Sequence, residues 1–349
     1  MERGKIVKKF LFNRFDKDTL KKKVLLDTRE RRIISFYRYV KIENPMEFRN
    51  LLYDSFEDLG ILGRIYLANE GINAQFSIPI ENVDKLRSFV DSVPELKKIY
   101  FNDAVEDKKE SFIKLAIKVR KKIVADGLDD SQFDPSNVGT HLSPLEFHNA
   151  LDEEGVIVVD LRNNYESEVG HFENAILPDV GTFREELPLV EKILENDKDK
   201  KILLYCTGGI RCEKASAYLK YKGFEKVHQL RGGIINYAKV VHDNGLQSKF
   251  KGKNFVFDDR LGERITDDVL TVCYTCGKPS DRHTNCANLG CHVLIVQCES
   301  CSESLLGCCS EDCKKIVTLP EEEQKKLRQE QRKQQKYPTH HLTRKLVGK

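Results

Sequence analysis

The chain has 349 residues and a formal net charge of +3; Asp, Glu, Lys and Arg make up 32% of it and hydrophobic residues 40%. That length points to two or three domains, and that balance describes a water-soluble globular protein. No apolar run approaches the roughly 20 residues that span a bilayer, and Lys8, Lys9 and Arg14 interrupt the start, which lacks the apolar core and cleavage site of a secretion signal; a cytoplasmic location with no membrane partner is the expectation.

Residues 1–32 hold twelve Lys/Arg against five Asp/Glu, and the last 29 residues hold nine against four, so the body between them is acidic. Residues 1–32 read as a basic arm and 316–349 as a basic tail, suited to reach a polyanion such as tRNA or rRNA; solvated chain ends carry the same signature. After the arm, Ile33–Val40 reads as a strand, Pro45–Leu59 as a helix with Phe48, Leu51, Leu52 and Phe56 on one face, and Gly63–Ala68 as a strand. A turn at Asn69–Gly71, a strand over Ile72–Ile78, a helix over Ile80–Val93 and a last strand within Phe112–Val124 complete the order βαββαβ. This is the ferredoxin-like arrangement, here over 33–126. Many functions use it, so it carries little about activity alone.

Residues 127–142 are rich in Gly, Asp, Pro and Ser and read as a linker. Ser143 then caps a helix with Pro144 at its first position, running through Leu145–Leu151. Val156–Asp160 is a strand with the uninterrupted apolar run of one buried on both faces. A short strand at Ala175–Leu177, a helix over Phe183–Leu194, a strand over Lys201–Tyr205, a helix over Glu213–Tyr221, a strand over Val227–Leu230, a Gly232-Gly233 turn and a helix over Ile234–Val241 follow. Residues 143–247 are thus an alternating α/β domain on a parallel sheet. Such sheets place their sites at the carboxyl ends of strands, where Asp160 and Cys206 fall.

The most informative stretch is Tyr205-Cys206-Thr207-Gly208-Gly209-Ile210-Arg211-Cys212. A thiol at a strand end, above a glycine-bearing loop and a helix N-terminus, sits in a positive field that favours thiolate. The N–H groups of Thr207, Gly208, Gly209 and Ile210 can converge on one anion, and Arg211 can add charge-assisted donors. Cys206 is the candidate nucleophile. Cys212 is either a resolving thiol or a buried helix residue. Asp160 and Arg162 are placed to orient the loop by an ion pair, or simply to cap a strand end. His171 reads as a packing residue more readily than as a base.

Nine of the eleven cysteines fall between Cys273 and Cys313, which favours metal over disulfides in a chain without a secretion signal. Cys273-x2-Cys276 and Cys298-x2-Cys301 form two pairs suited to one tetrahedral zinc. Cys286, Cys291, Cys313 and one of Cys308 and Cys309, with Cys309 preferred, suit a second. Residues 268–315 are therefore expected to fold around structural zinc, presenting Lys278, Arg282 and His283 to RNA. Pro320–Lys336 reads as a charged helix with no apolar face. The chain has no flavin or nicotinamide fingerprint and no clear iron triad.

Asp160-Leu161-Arg162, Glu166, Gly170-His171-Phe172, Asn174-Ala175, the CTGGIR loop and Gly232-Gly233 resemble a rhodanese domain in order and spacing. The resemblance implies that Cys206 carries a persulfide; the loop is one residue shorter than that of the related phosphatases. Adding the run CTGGIRCEKASAYL and the segment Ala68, Glu70, Gly71, Ile72, Asn73, the chain resembles the tRNA uridine hydroxylase family over roughly residues 30–315. That resemblance implies oxygen-dependent formation of 5-hydroxyuridine at the wobble position of tRNA, an oxidoreductase with molecular oxygen as co-substrate, the anticodon region as partner and Cys206 as the essential residue. It also raises Glu70 and Asn73 to supporting candidates, although family members commonly read EGINGT where this chain has Ala74-Gln75 after Asn73. A sulfurtransferase passing persulfide sulfur to a small molecule or RNA is the competing enzyme. A non-enzymatic zinc-bearing scaffold is a third reading, against which the intact Cys206 and Arg211 speak.

Overall fold

The computed structural model describes residues 13, 15–105 and 111–334. Most of the expected arm's first fourteen residues, and residues 335–349 of the tail, lie outside the described residues. What is described of the arm is partly folded. Asp16 caps helix α1 (Lys17–Leu26) by accepting from the amides of Asp18 and Thr19. Leu20 and Val24, one turn apart, are buried. Arg31 and Arg32 already belong to strand β1 (Arg31–Tyr39), where the Arg31 guanidinium donates to Ser77 Oγ and to the carbonyls of Gly60 and Ser77. The basic run concealed one apolar i, i+4 pair and one strand start, so Lys17–Leu26 and the residues from Arg31 onward are folded rather than part of a free arm.

The first domain continues through α2 (Pro45–Asp58), β2 (Leu62–Ala68), β3 (Gly71–Pro79), α3 (Val83–Ser92), β4 (Asn102–Asp103) and β5 (Leu115–Val119). Its sheet has the order β4-β1-β3-β2-β5. The βαββαβ pattern is present with one exchange. The two-residue β4 takes the edge antiparallel to β1, and the segment expected there, within Phe112–Val124, instead supplies β5, parallel to β2 on the opposite edge. A two-residue strand has no periodicity to read, whereas the alternation of Leu115 and Ile117 with solvent-facing residues does. Helices α2 and α3 cover one sheet face, where Leu52, Phe56, Leu86 and Val90 pack with Phe36, Ile65, Ala74 and Phe76. The other face bears no helix of this domain among the described residues.

The second domain runs β6 (Thr140–Leu142), α4 (Pro144–Ala150), β7 (Ile157–Asp160), α5 (Asn164–Ser167), β8 (Gly170–Phe172), α6 (Phe183–Ile193), β9 (Lys201–Tyr205), α7 (Ile210–Tyr221), β10 (Lys226–Leu230), α8 (Gly233–Asp243) and β11 (Phe250–Asn254). Its sheet, β6-β10-β9-β7, is parallel throughout. Thr140–Leu142, read as linker, is the edge strand of that sheet. Ala175–Leu177 is not a strand: Ile176 makes a single bridge to Val159. The unanticipated β8 and β11 pair antiparallel outside the parallel sheet. Ser143 and Glu146 close the capping box that starts α4.

Beyond β11 lie β12 (Glu263–Arg264), the hairpin β13 (His283–Asn285) and β14 (Leu294–Val296), and helices α9 (Glu299–Ser304), α10 (Glu311–Val317) and α11 (Glu321–Gln334). The core of this cysteine-rich part is small: Val293, Ile295 and Leu305 pack with Cys286 and Cys308. No helix among the described residues is long and apolar enough to cross a membrane.

Candidate active site

Strand β9 sorts its side chains by parity. Ile202, Leu204 and then Cys206 enter the cluster beneath α6 and α7, while Leu203 and Tyr205 enter the opposite cluster with Phe172 and Tyr237. Cys206 thus emerges at the carboxyl end of a central strand. Helix α7 begins at Ile210, three residues before the pattern suggested, with Gly209 as its N-cap at φ 100°. Arg211 and Cys212 therefore sit in its first turn.

The loop is turned by its neighbours. The amides of Ile234 and Ile235, at the start of α8, donate to the carbonyls of Cys206 and Thr207 at 3.0 and 3.2 Å. That approach requires glycine at 233, where a Cβ would lie 2.5 to 2.7 Å from Thr207 O, Cys206 O and Gly208 N at a backbone φ of +66°. With those carbonyls tied to α8, the Gly209 amide donates to Cys206 Sγ at 3.1 Å. Burial alone would raise the Cys206 thiol. The Cys212 thiol, the Arg211 charge and the amides of Arg211 and Gly209 outweigh it and bring the group down to about 6. Cys212 is fully buried and its thiol is pushed well up, first by burial and then by Cys206, so it stays protonated as a donor to its neighbour.

Arg211 does not lie free over the loop. Its two terminal nitrogens grip Glu166 at 2.7 and 2.8 Å, a buried bidentate pair. Thr207 Oγ1 joins them at 3.4 Å from both partners. The guanidinium thus supports the loop through Glu166 rather than standing ready as an unpaired anion clamp. Asp160 and Arg162 form a fully buried pair, Nη2 to Oδ2 at 2.7 Å, and Tyr205 Oη donates to the same Asp160 oxygen at 2.7 Å. Arg162 also donates to Gly170 O, so this pair ties the ends of β7, β8 and β9 together behind the cysteine. His171 binds Ser167 O from β8. Glu186 on α6, which no motif suggested, is fully buried, and neither carboxyl oxygen has a hydrogen-bond partner among the described residues. Burial holds its carboxyl well above the usual range against the pull of Arg211.

The first domain turns its helix-free sheet face onto this loop. Tyr37 Oη donates to Glu213 Oε1 at 3.0 Å, and Glu213 also holds His141 and Gln229 of the second domain. Lys214 Nζ, nearly fully buried, binds Glu70 Oε2 at 2.9 Å and Asp130 Oδ2 at 2.8 Å. Glu70 accepts from the Ile123 amide with its other oxygen. Glu70 is therefore an inter-domain tie on α7, while Asn73 points its amide toward Ile123 O at 3.5 Å. Glu213 and Lys214 lay in plain view in the sequence, but nothing local marked them as partners of Tyr37 and Asp130, 176 and 84 positions away.

Between the two domains lies a cavity of about 1110 Å³. Its walls include Cys206, Thr207, Gly208, Ile210 and Arg211 of the second domain, residues of β1, β2 and β3 of the first, and Val256 to Asp258 with Arg260. Cys206 has no water-exposed surface of its own and meets the cavity as part of its wall.

The cysteine-rich part brings two sets of four thiols together: Cys273, Cys276, Cys298 and Cys301; and Cys286, Cys291, Cys309 and Cys313. Within each set the sulfur atoms lie within 4.8 Å of one another. Four thiols from paired loops fit a closed tetrahedral metal site. Cys308 stays outside both sets, buried, its thiol pushed up to about 11 by that burial. Lys278 and Arg282 are exposed. His283 is not presented to solvent: it is buried with its ring 5.0 Å from Phe255 and 3.7 Å from Glu168, the C-cap of α5.

The cysteine on its strand-to-helix loop, backed by a parallel sheet, defines a rhodanese-type domain, and residues 143–239 match the rhodanese-like domain family. Residues 31–123 match the UPF0176 acylphosphatase like domain and residues 251–314 the family described as Rhodanase C-terminal. The chain is 54% identical over 327 residues to the tRNA uridine(34) hydroxylase of Leptospira interrogans, covering 94% of this chain and 89% of that one. It is 51% identical to the proteins of that name from Photorhabdus laumondii, over 90% of both chains, and Escherichia fergusonii, over 91% of both. The chain belongs to the tRNA uridine(34) hydroxylase family.

Proposed function

We propose that this protein hydroxylates C5 of the wobble uridine of tRNA, with Cys206 as the reacting residue and molecular oxygen as co-substrate. The observation that carries the reading is identity above one half, over about nine-tenths of both chains, with proteins named for that activity. The site supplies chemistry to match. A sulfur brought down to about 6 is ionised at neutral pH. A cavity of about 1110 Å³ over it has room for an extruded nucleotide and part of its neighbours. Because Cys206 Sγ is recessed in the wall, a persulfide, reaching about 2 Å further, suits the cavity better than the bare thiolate.

In this reading the sulfur adds to C6 of the uracil. A C–S bond forms, and the electron pair of the 5,6 double bond passes to C5, which attacks dioxygen. A thiol-class reductant is oxidised to its disulfide, supplying two electrons and two protons, and a third proton enters from solvent, to be returned when the C5 proton leaves. One oxygen atom stays on C5 as hydroxyl and the other leaves as water. Loss of the C5 proton then expels the sulfur and restores the double bond. Asp160, Arg162, Glu166 and Arg211 hold the loop, Cys212 donates to the sulfur, and each four-thiolate set holds a structural zinc. Closed sites of that kind supply folding energy to a segment with so small an apolar core.

The test is nucleoside mass spectrometry of tRNA from a strain lacking the endogenous enzyme. The wild-type chain is expected to restore 5-hydroxyuridine derivatives and Cys206→Ser to restore none. Unmodified tRNA together with strong thiosulfate:cyanide turnover overturns the reading in favour of sulfur transfer.

A further inference from the structure

The helix-free face of the first domain's sheet is the wall opposite Cys206. Its outward residues form two cross-strand rows. Ser35 of β1, Gln75 of β3 and Arg64 of β2 are register partners in one; Tyr37, Asn73 and Tyr66 are partners in the other. All six line the cavity. Their alternate neighbours, Phe36, Ala74, Phe76 and Ile65, face the helices in the core, so the parity of three strands separates an apolar face from a polar one.

That polar face is built unlike an ordinary domain contact. Tyr37 is tied to Glu213, and the Asn73 amide reaches Ile123 O at only 3.5 Å. The half-buried Gln75 amide and Tyr66 hydroxyl make no hydrogen bond among the described residues. Two primary amides and two phenol rings thus stand half-buried in the wall of the cavity that Cys206 lines, and of the four, the Gln75 amide and the Tyr66 hydroxyl keep their hydrogen-bonding capacity unspent. A carboxamide offers a donor and an acceptor on one head, the complement of a uracil edge with its N3–H between two carbonyls. Flipped bases are read through such edge contacts and by stacking on aromatic rings. Arg64 is exposed at the rim, placed for a phosphate rather than a base.

We propose that this sheet face is the reader of the target base: Asn73 and Gln75 hydrogen-bond the uracil edge against Tyr66, while Arg64 holds the flanking phosphate. The inference rests on the hydroxylase reading above and adds to it the residues that select the base. It makes the first domain a part of the active site rather than a separate RNA-binding arm.

The test is a cycle of protein and RNA changes, with full-length zinc-loaded protein and an anticodon stem-loop RNA carrying uridine or an abasic residue at position 34. For the wild type, removing the base is expected to weaken binding about tenfold, the scale of one well-made base contact. For the double variant Asn73→Ala, Gln75→Ala the same removal is expected to cost less than about twofold, since the contact is already gone. Arg64→Ala is expected to weaken both RNAs alike and to lower the salt slope by about one. Thermal unfolding and zinc content of each variant verify the fold. A double variant that still loses about tenfold on base removal overturns the inference, as does a wild type indifferent to the base. If that indifference accompanies normal Cys206-dependent 5-hydroxyuridine in cells, the reader assignment alone fails. If the wild type makes no 5-hydroxyuridine, the hydroxylase reading fails with it.

Discussion

The ionisation of Cys206 is the quantity most directly open to measurement. The thiol is drawn from 9.0 to about 6 by its neighbours despite full burial. At pH 7 a group at about 6 is roughly nine-tenths thiolate, and one at its ordinary value about one-hundredth, a gain of about 90-fold in the reacting form. A weaker base is also a weaker nucleophile. With a Brønsted slope near 0.45, three units cost about 20-fold, leaving a net advantage of about fourfold at pH 7. At pH 6 the advantage grows to roughly 20-fold, and at pH 9 the sign reverses, to about tenfold slower than an ordinary cysteine. The assay is iodoacetamide alkylation followed by mass spectrometry of the Cys206 peptide, with Cys206→Ala as the blank. The rate should rise with pH through about 6 and then level off. Cys212→Ala removes a thiol donor and should move the midpoint up by about one unit, the worth of one hydrogen bond to a charged acceptor. A rate still climbing between pH 8 and 9 in the wild type, whatever its absolute size, refutes the electrostatic account of the loop.

The other expectations follow from single contacts. Glu166→Gln leaves the Arg211 guanidinium buried without its countercharge, and about 3–5 kcal/mol of stability should be lost, seen as a lower midpoint in urea unfolding. Gly233→Ala puts a methyl group within 2.7 Å of three loop atoms at a φ unsuited to alanine, so 5-hydroxyuridine formation should fall below detection in the nucleoside assay even where the protein still folds. Metal analysis should find two zinc ions per chain, falling to one in Cys273→Ser and to one in Cys291→Ser; a value unchanged in either variant removes that set as a site. Lys214→Met should loosen the two domains, because it strips Glu70 and Asp130 of their shared cation, and limited proteolysis should cut the 120–139 segment faster than in the wild type.

Much of the chemistry was legible because it is local. Cys206, its glycine loop and the first turn of α7 are consecutive, and so were the CxxC pairs that suggested metal. The uninterrupted apolar run at Val156–Asp160 gave β7, and the capping residue Ser143 gave the start of α4. What escaped was short or paired at a distance. The two-residue β4 and three-residue β8 carry no periodicity, and Thr140–Leu142 becomes a strand only because β10 offers it an edge. Arg211 read as an anion clamp, yet its guanidinium is spent on Glu166, a choice made by the packing of α5 against the loop.

The order of residues along the chain was enough to place a cysteine on a glycine-bearing loop at a strand end, the CxxC pairs of one four-thiol set and the type of each domain, since the loop and the pairs depend on groups a few positions apart and the domain types on the order of elements. Only the tertiary structure decided what faces Cys206. The polar rows of β1, β2 and β3, the bridge from Tyr37 to Glu213 and that from Glu70 to Lys214 bring residues distant in sequence to the loop and the helix that follows it. Strand parity fixes which side chains share a face, but only the docking of one domain on the other decides what that face looks upon.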